Sequence, residues 1–514
     1  MTSGSSRHSR ALRATRLLVV VGFTLLVMAW MFGTPPGAGP DELAHYVKAV
    51  GAGGGDIRGG EIPEATMGPP PSATQAWFNQ TSRVFDVPPR LSTARLECVT
   101  FFRVPGDCPP IQGGQGSELS HVGTYQPWSY VLPGVAAGMS GDAPAALRAG
   151  RAISAAVCLA LLCAAAALLW DPRNAGASVA GLLVGVSPMV LFVMSQLSGS
   201  GPELAGTICL AAALIHLSRE APSSRWAWLA AGAGAVLAVS TRSLGPLWVL
   251  LCVAGVTVAF GGRRLLSEVK SGGRGAKAAI VATVAAGAAG VWWEAAFQPH
   301  PGFSLSRTIR NLPSAAYSMV DVGEQSIGIF GSLDVRVRPG FYVLWAILLL
   351  VVLGLALLWG RPRERMALAG LSAGAVGFSV VLAAAVVIPT GFGLQGRHVL
   401  PAAVPVPLIA GEVLSRAVAR RKRPGADARF SSRAAAAVTV WVAAIAAALH
   451  GLAWMTNARR YAFGQPVSWD LLGSAAWAPP GGWLPWILLV CAGCGCLALS
   501  GVTASGLAGA PRGT

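Results

Sequence analysis

Leu17-Leu18-Val19-Val20-Val21-Gly22-Phe23-Thr24-Leu25-Leu26-Val27-Met28-Ala29-Trp30-Met31-Phe32-Gly33 is an uncharged run of 17 residues with a basic segment in front of it. As a helix it covers most of the roughly 30 Å of hydrocarbon in a bilayer. A basic stretch before an apolar one also fits a cleaved leader. Trp30-Met31-Phe32 is a poor small-residue cleavage site, however, so the run reads as a retained helix. The pattern recurs along the chain. Of 514 residues, 53% are hydrophobic and 12% charged, about half the charge of an ordinary soluble domain. Mean hydropathy is +0.56.

The periodicity predicts an all-α integral membrane protein with about twelve transmembrane helices. They fall near 17–33, 149–170, 176–194, 203–217, 226–240, 244–260, 278–297, 341–359, 366–388, 399–415, 434–456 and 483–502. Ala and Gly are plentiful in them, and small residues let helices approach closely in lipid. With the N-terminus inside, the inward segments hold 23 of the 39 basic residues and 6 of the 22 acids. The whole net charge of +17 then lies on one side, the positive-inside pattern. Both termini are expected in the cytoplasm. The pI near 10.3 is explained by topology and anionic lipid, so no nucleic acid partner is expected; the expected surroundings are membrane lipids.

The polar variety sits in the outward loops. We divide the chain into a basic N-terminus at 1–16, a membrane domain at 17–405 with outer loops 34–147 and 298–340, and C-terminal helices at 406–514 with an outer loop at 457–482. The large first loop carries Cys98 and Cys108, with nine residues between them; outside the cell this pair is expected to form a disulfide. Cys491, Cys494 and Cys496 lie in an apolar helix without His or carboxylate and read as small apolar residues rather than a metal cluster. Aromatic residues of the loops fit either the membrane interface or stacking on sugar rings or a lipid.

Candidate chemistry begins just after the first helix. In Pro40-Asp41-Glu42-Leu43-Ala44-His45, two carboxylates share a helix face with an imidazole if the helix starts near Pro40. A carboxylate at a membrane surface, its pKa raised, suits a general base; Asp at a helix start is also an ordinary cap. Glu203 and Glu294 sit at outer ends of apolar spans, where an ionisable group is a functional candidate. Arg148, Arg151, Arg242 and Arg397 lie on the outer side against the topology signal. They suit either a phosphate at headgroup depth or snorkelling to lipid.

Five ordered segments between about 35 and 405 resemble the uncharacterised bacterial membrane proteins of domain-of-unknown-function family 2142. Pro40 to His45 resembles the family's Pro-Asp-Glu-x-x-His. Tyr125-Gln126-Pro127-Trp128-Ser129-Tyr130 resembles its Tyr-Pro-Pro-Leu-Tyr-Tyr with two changes. Ser198 to Glu203 is similar to its Ser-x-Asn-Pro-Asp turn, with Glu203 in place of Asp. Ile327 to Asp334 resembles its Gly-Trp-Leu-Asp, with Ser332 for Trp. Gln395-Gly396-Arg397-His398-Val399-Leu400-Pro401 resembles its Gln-Gly-Arg-Tyr-x-x-Pro, with His398 for Tyr. Arg242 stands where the family has Lys.

That family in turn resembles the GT-C class of membrane glycosyltransferases. The resemblance implies a GT-C-like fold and transfer of a sugar from a polyprenyl-phosphate donor to an envelope glycan or lipid acceptor, on the outer side of a bacterial cytoplasmic membrane. It implies Asp41 as base, Glu42 as its helper or as holder of a divalent cation, and His45 as an orienting group. Arg242 and Arg397 would stabilise the departing phosphate. Tyr125, Pro127, Glu203, Asp334, Gln395 and His398 would bind substrate. No cofactor is certain; a divalent cation is dispensable with so good a leaving group. The alternatives are a lipid-linked sugar transporter or flippase, and a non-catalytic envelope-assembly protein.

Overall fold

Apolar runs with few charges must satisfy every backbone group internally once water is gone, which leaves the helix as the local solution. A computed structural model describes residues 2–62, 70–96, 116–169, 176–219, 225–271, 273–299, 302–421, 426–464, 475 and 477–509. In chain order the helices are α1 (Thr2–Gly33), α2 (Glu42–Gly53), α3 (Ala73–Thr81), α4 (Trp128–Gly138), α5 (Ala143–Leu169), α6 (Ala177–Gly185), α7 (Pro188–Ser195), α8 (Ser200–Leu217), α9 (Arg225–Val239) and α10 (Gly245–Phe260). Then come α11 (Gly262–Lys270), α12 (Arg274–Phe297), α13 (Leu305–Gly328), α14 (Pro339–Trp359), α15 (Pro362–Leu382), α16 (Gly396–Ala403), α17 (Pro405–Arg421), α18 (Ala426–Phe463) and α19 (Leu484–Gly509). Two small antiparallel ribbons complete it: β1 (Arg83–Asp86) with β2 (Ser117–Ser120), and β3 (Ile329–Phe330) with β4 (Val335–Arg336).

The chain is a multi-pass helical membrane protein. Among the described residues, nine helices are long and apolar enough to cross a bilayer, and up to eleven if two bent pairs each count as one span. The bent pairs are α6 with α7, at 60°, and α10 with α11, at 113°. The twelfth expected span is α9, an apolar helix of only 15 residues. Ser187 and Pro188 explain the first bend: the serine side chain caps Val190 N–H, and the proline starts a new helix. At the second, Gly261 takes φ +87°, open to glycine without strain.

Helices α6, α7 and α8 are buried nearly all round, while α12, α14 and α15 keep broad apolar faces open, such as Val281, Val284, Leu344 and Leu350. Those faces suit lipid. Where helices meet closely, the residues are small: a Cβ on Gly206 of α8 would lie 2.6 Å from the Gly234 carbonyl of α9, and the reverse holds too. Phe192 meets Trp30 and Phe330 edge to face, Trp30 and Phe330 are tilted, and the three rings, at centroid distances of 4.7–5.4 Å, tie α1 to α7 and β3.

The long loops are structured. The segment expected as loop 34–147 contains α2, α3, β1, β2 and α4, and α2 packs its own apolar face with Phe85, Tyr130 and Leu147. The segment 298–340 holds the 24-residue helix α13. It packs on the end of α15 through Ala315, Val322, Ala383 and Leu394. There α15 widens into a π-turn at Ala383–Val387 and tightens into a 3₁₀ turn at Ile388–Thr390. Cys98 and Cys108 lie outside the described residues.

Candidate active site

Between Gly33 and Asp41 the chain runs Thr34-Pro35-Pro36-Gly37-Ala38-Gly39-Pro40, where three prolines lack a backbone donor. The remaining glycine donors go to one acid: Gly37 N–H and Gly39 N–H each donate to Glu42 Oε2 at 3.1 Å. Leu197 N–H donates to Glu42 Oε1 at 3.0 Å. Arg151 closes the carboxylate from the other side, Nε to Oε1 at 2.6 Å and Nη2 to Oε2 at 2.5 Å. Neither side chain has any solvent exposure. Two charges so deep require this saturation, since an unpaired one is costly.

Asp41, next in the chain, points elsewhere. Its backbone is left-handed, φ 56° and ψ 17°, a region that Asp tolerates better than most residues. The turn sends its carboxylate into an open cavity, where 39% of the side chain remains accessible. There Arg397 Nη2 donates to Asp41 Oδ2, and His121 Nε2 lies 3.4 Å from Oδ1. Arg397 also donates Nη1 to the Pro40 carbonyl at 3.0 Å.

The cavity has a volume of about 370 Å³ and three kinds of wall. Its polar wall is Asp41, Glu203, Arg242, Arg397 and His398. Arg242 donates Nη1 to Ser200 Oγ at 2.8 Å and Nη2 to Tyr125 Oη at 3.3 Å, its guanidinium 5.2 Å above the Tyr125 ring. Glu203 accepts from Trp248 Nε1 at 2.8 Å. The aliphatic wall is Leu382, Val386 and Val387, carried by the end of α15 and its π-turn. Trp77 and Phe78 of α3 with Phe392 form the aromatic wall. Phe78 meets Phe392 edge to face at 5.1 Å, and Thr74 Oγ1 donates to Gly391 O at 3.2 Å, so α3 reaches across to the segment after α15.

Burial pushes the Asp41 carboxyl up, but the Arg397 guanidinium, aided by His121, outweighs it and holds the group well below the usual carboxylate range. Asp41 is therefore an ionised carboxylate with its charge already met, the reverse of the raised pKa expected of it. Burial drives His45 far below its ordinary value, with Arg397 and Arg242 adding to the effect, so its ring is neutral. His45 Nδ1 and Tyr130 Oη are 2.8 Å apart, and their rings stack at 5.7 Å. Lys48, one helical turn further on, is wholly buried and donates Nζ to Gly123 O at 2.5 Å. Burial pulls its ammonium down to about 7.

Eight of the expected site residues line this one cavity: Asp41, Tyr125, Glu203, Arg242, Glu294, Gln395, Arg397 and His398. Six do not, Arg148 and Arg151 among them. Glu42 lies behind Asp41, bound to Arg151 and the loop. His45 is buried against Tyr130. Pro127 caps the start of α4. Asp334 closes the β3–β4 turn, accepting Ser332 N–H at 3.0 Å and facing Arg460 at 3.2 Å. The donor set does not fit a divalent cation: both Glu42 oxygens are occupied, Asp41 is paired, and among the described residues no three His, Cys, Asp or Glu side chains gather as a metal site. Sequence reasoning missed His121, Trp77, Phe78 and Phe392 as cavity residues, and it quoted Gln126 only within a motif, without a role; the aromatic content of the loop hinted at Trp77 and Phe78.

No curated protein matches the sequence. Among solved structures, the chain is similar to the crystal structure of ArnT from Cupriavidus metallidurans bound to undecaprenyl phosphate, with a TM-score of 0.37 and 15% identity over 84% of this chain and 76% of that one. The same protein in the apo state gives a TM-score of 0.35 and 16% identity over 84% and 75%. The match that covers most of the sequence is to the predicted membrane protein family DUF2142, over residues 23–406. It runs from within the first helix through the cavity and all five motifs, and the chain belongs to that family.

Proposed function

We propose that this protein is a membrane glycosyltransferase that moves a sugar from a polyprenyl-phosphate donor to an envelope glycan or lipid acceptor. In this reading the cavity opens on the outer side of a bacterial cytoplasmic membrane and both termini are cytoplasmic. The observation that carries it is one cavity holding an ionised Asp41, the two arginines Arg242 and Arg397, and an aliphatic wall. A lipid phosphate needs cations and an apolar bed together; a hydroxyl acceptor needs a carboxylate beside them.

The donor phosphate lies between Arg242 and Arg397, and its prenyl chain lies along Leu382, Val386 and Val387. Drawing Arg397 towards the phosphate removes the partner that keeps Asp41 weakly basic. Asp41 then takes the proton of the acceptor hydroxyl as that oxygen bonds to the anomeric carbon. The bond from that carbon to the phosphate oxygen breaks, and the arginines stabilise the charge gained by the leaving group. Glu203, Gln395, His398 and Tyr125 surround the sugar. Trp77, Phe78 and Phe392 offer ring faces to the acceptor.

The test is sugar transfer by the purified protein in nanodiscs from radiolabelled polyprenyl-phosphate sugars. Asn suits the left-handed turn as well as Asp does, so Asp41→Asn removes the charge and keeps the backbone. We expect transfer to fall by about 10² to 10⁴, the worth of a general base. Full transfer by Asp41→Asn removes the base from the scheme. No transfer by wild type from any donor, with phosphate-carrier binding intact, turns the reading to transport.

A further inference from the structure

Arg151 has five N–H donors, as every arginine does, and all are used. Nε and one Nη2 hydrogen go to Glu42. Nη1 donates to Met31 O at 2.9 Å and Thr34 O at 2.7 Å, and Nη2 also donates to Pro35 O at 2.8 Å. These carbonyls are the last of α1 and the first of the loop that leads to Asp41. Nothing is left for a ligand. Arg397, by contrast, has an Nε with no partner, and its two recorded bonds are to Pro40 and Asp41.

Glu42 completes the account from the acid side. The loop from Thr34 to Pro40 has two glycines and no regular structure of its own. Gly37 takes φ +89°, and its N–H and that of Gly39 both end on Glu42. Ala38 N–H is met by Pro35 O at 3.1 Å. A left-handed Asp costs about 1 kcal/mol or more over a relaxed residue, so the loop must be fixed on both sides of it. Arg151 and Glu42 do this from below, and the Arg397–Pro40 bond does it from the cavity.

We propose that Arg151 and Glu42 are positioning residues: their buried pair fixes the loop 34–41 in the one shape that turns the Asp41 carboxylate into the cavity to meet Arg397. The pair touches no substrate. The assignment rests on the proposed function only for the importance of Asp41; the geometry stands without it.

Carbodiimide modification of Asp41 reads that geometry without any sugar donor. The carboxyl gives its proton to a carbodiimide nitrogen as its oxygen adds to the carbodiimide carbon, so the protonated acid reacts, and peptide mass spectrometry of the whole chain in nanodiscs gives the pH at which Asp41 is half modified. Around Asp41 the charged and titratable groups are Arg397, His121 and His45, with Arg242, His398 and Tyr130 also within electrostatic reach. In wild type we expect modification only at acid pH. Glu42→Gln and Arg151→Lys each move the midpoint up by about one pH unit or more, as Asp41 leaves Arg397. Glu412→Gln, which breaks an unrelated buried pair, lowers Tm and leaves the midpoint in place. An unchanged midpoint in folded Glu42→Gln and Arg151→Lys overturns the proposal, whatever their Tm; Arg151→Lys carries the test alone if Glu42→Gln does not fold. A shifted midpoint alongside absent sugar transfer keeps the positioning and discards the reaction.

Discussion

Two buried arginine–glutamate pairs stand at opposite ends of α5. Arg151, near its start, grips Glu42. Arg219 of the α8 end donates to the carbonyls of Leu168 and Leu169 at the finish of α5, at 2.9 and 2.6 Å, and grips Glu412 at 2.7 Å. From Arg151 to Leu168 along the helix is roughly 26 Å. Both arginines close off a helix C-terminus, where free carbonyls favour a cation. The difference lies in what else the acid holds. Glu412 receives a second arginine, Arg416, at 2.8 Å, and that arginine packs 4.0 Å over Phe260; the cluster staples four helices, α5, α8, α10 and α17. Glu42 receives loop N–H groups and so shapes a segment with no structure of its own. The same chemistry is a rivet at one end and a jig at the other.

That contrast can be broken experimentally. The largest expected effect is in Glu42→Gln. It should lose about 3–5 kcal/mol of stability, the cost of stranding a buried arginine, and at least about a hundredfold in transfer, the lower bound for losing a general base. Thermal unfolding and transfer assays read the two together, and wild-type transfer would equate the two pairs. Glu412→Gln should lose a similar amount of stability, about 3 kcal/mol. Its transfer should stay within about twofold, because distant sites act independently; a large loss there would mean that the inner cluster also governs the cavity.

Smaller effects sharpen the outer end. Asp41→Ala should be less stable than Asp41→Asn by about 1 kcal/mol, the left-handed strain that Asn relieves. Its pH dependence has a definite sign. The folded carboxyl is held below its ordinary value, so the Asp41–Arg397 contribution is present above about pH 4 and is lost as pH falls through the lower folded value. Being partly exposed, the pair contributes less than about 1 kcal/mol, and the acid limb of a Tm–pH curve should flatten by that much in Asp41→Asn. The smallest change is Gly60→Cys. It should label from outside intact cells with an impermeant maleimide; labelling only after lysis would put the cavity on the inner side. Non-reduced peptide mapping should likewise find Cys98 joined to Cys108.

How far the sequence could be read follows from the same contrast. Apolar runs announce spans because hydrocarbon leaves the backbone no other partner, and the helical membrane architecture was legible from them. The bends at Val186–Ser187 and Gly261 were not, since an uncharged run reads alike whether straight or broken. Asp41 and Glu42 are adjacent carboxylates with no chemical mark to separate them; a single backbone angle and an arginine 109 positions away decide which faces the cavity. Asp334 looked like a site acid, but its carboxylate closes a hairpin whose Gly331 and Leu333 both have positive φ. The helix α13 was hidden by Pro313 and by polar residues along one side. His121 has no pattern around it, and only folding brings it to Asp41.

The hairpin of α9 and α10 bears on where the reaction would lie relative to the lipid. With 15 and 16 residues, these helices rise only about 22–24 Å, short of the roughly 30 Å of hydrocarbon. A bilayer meeting so short an element thins around it. Under the proposed function, a lipid phosphate would then reach Arg242, at the turn between these two helices, with its chain still among its neighbours.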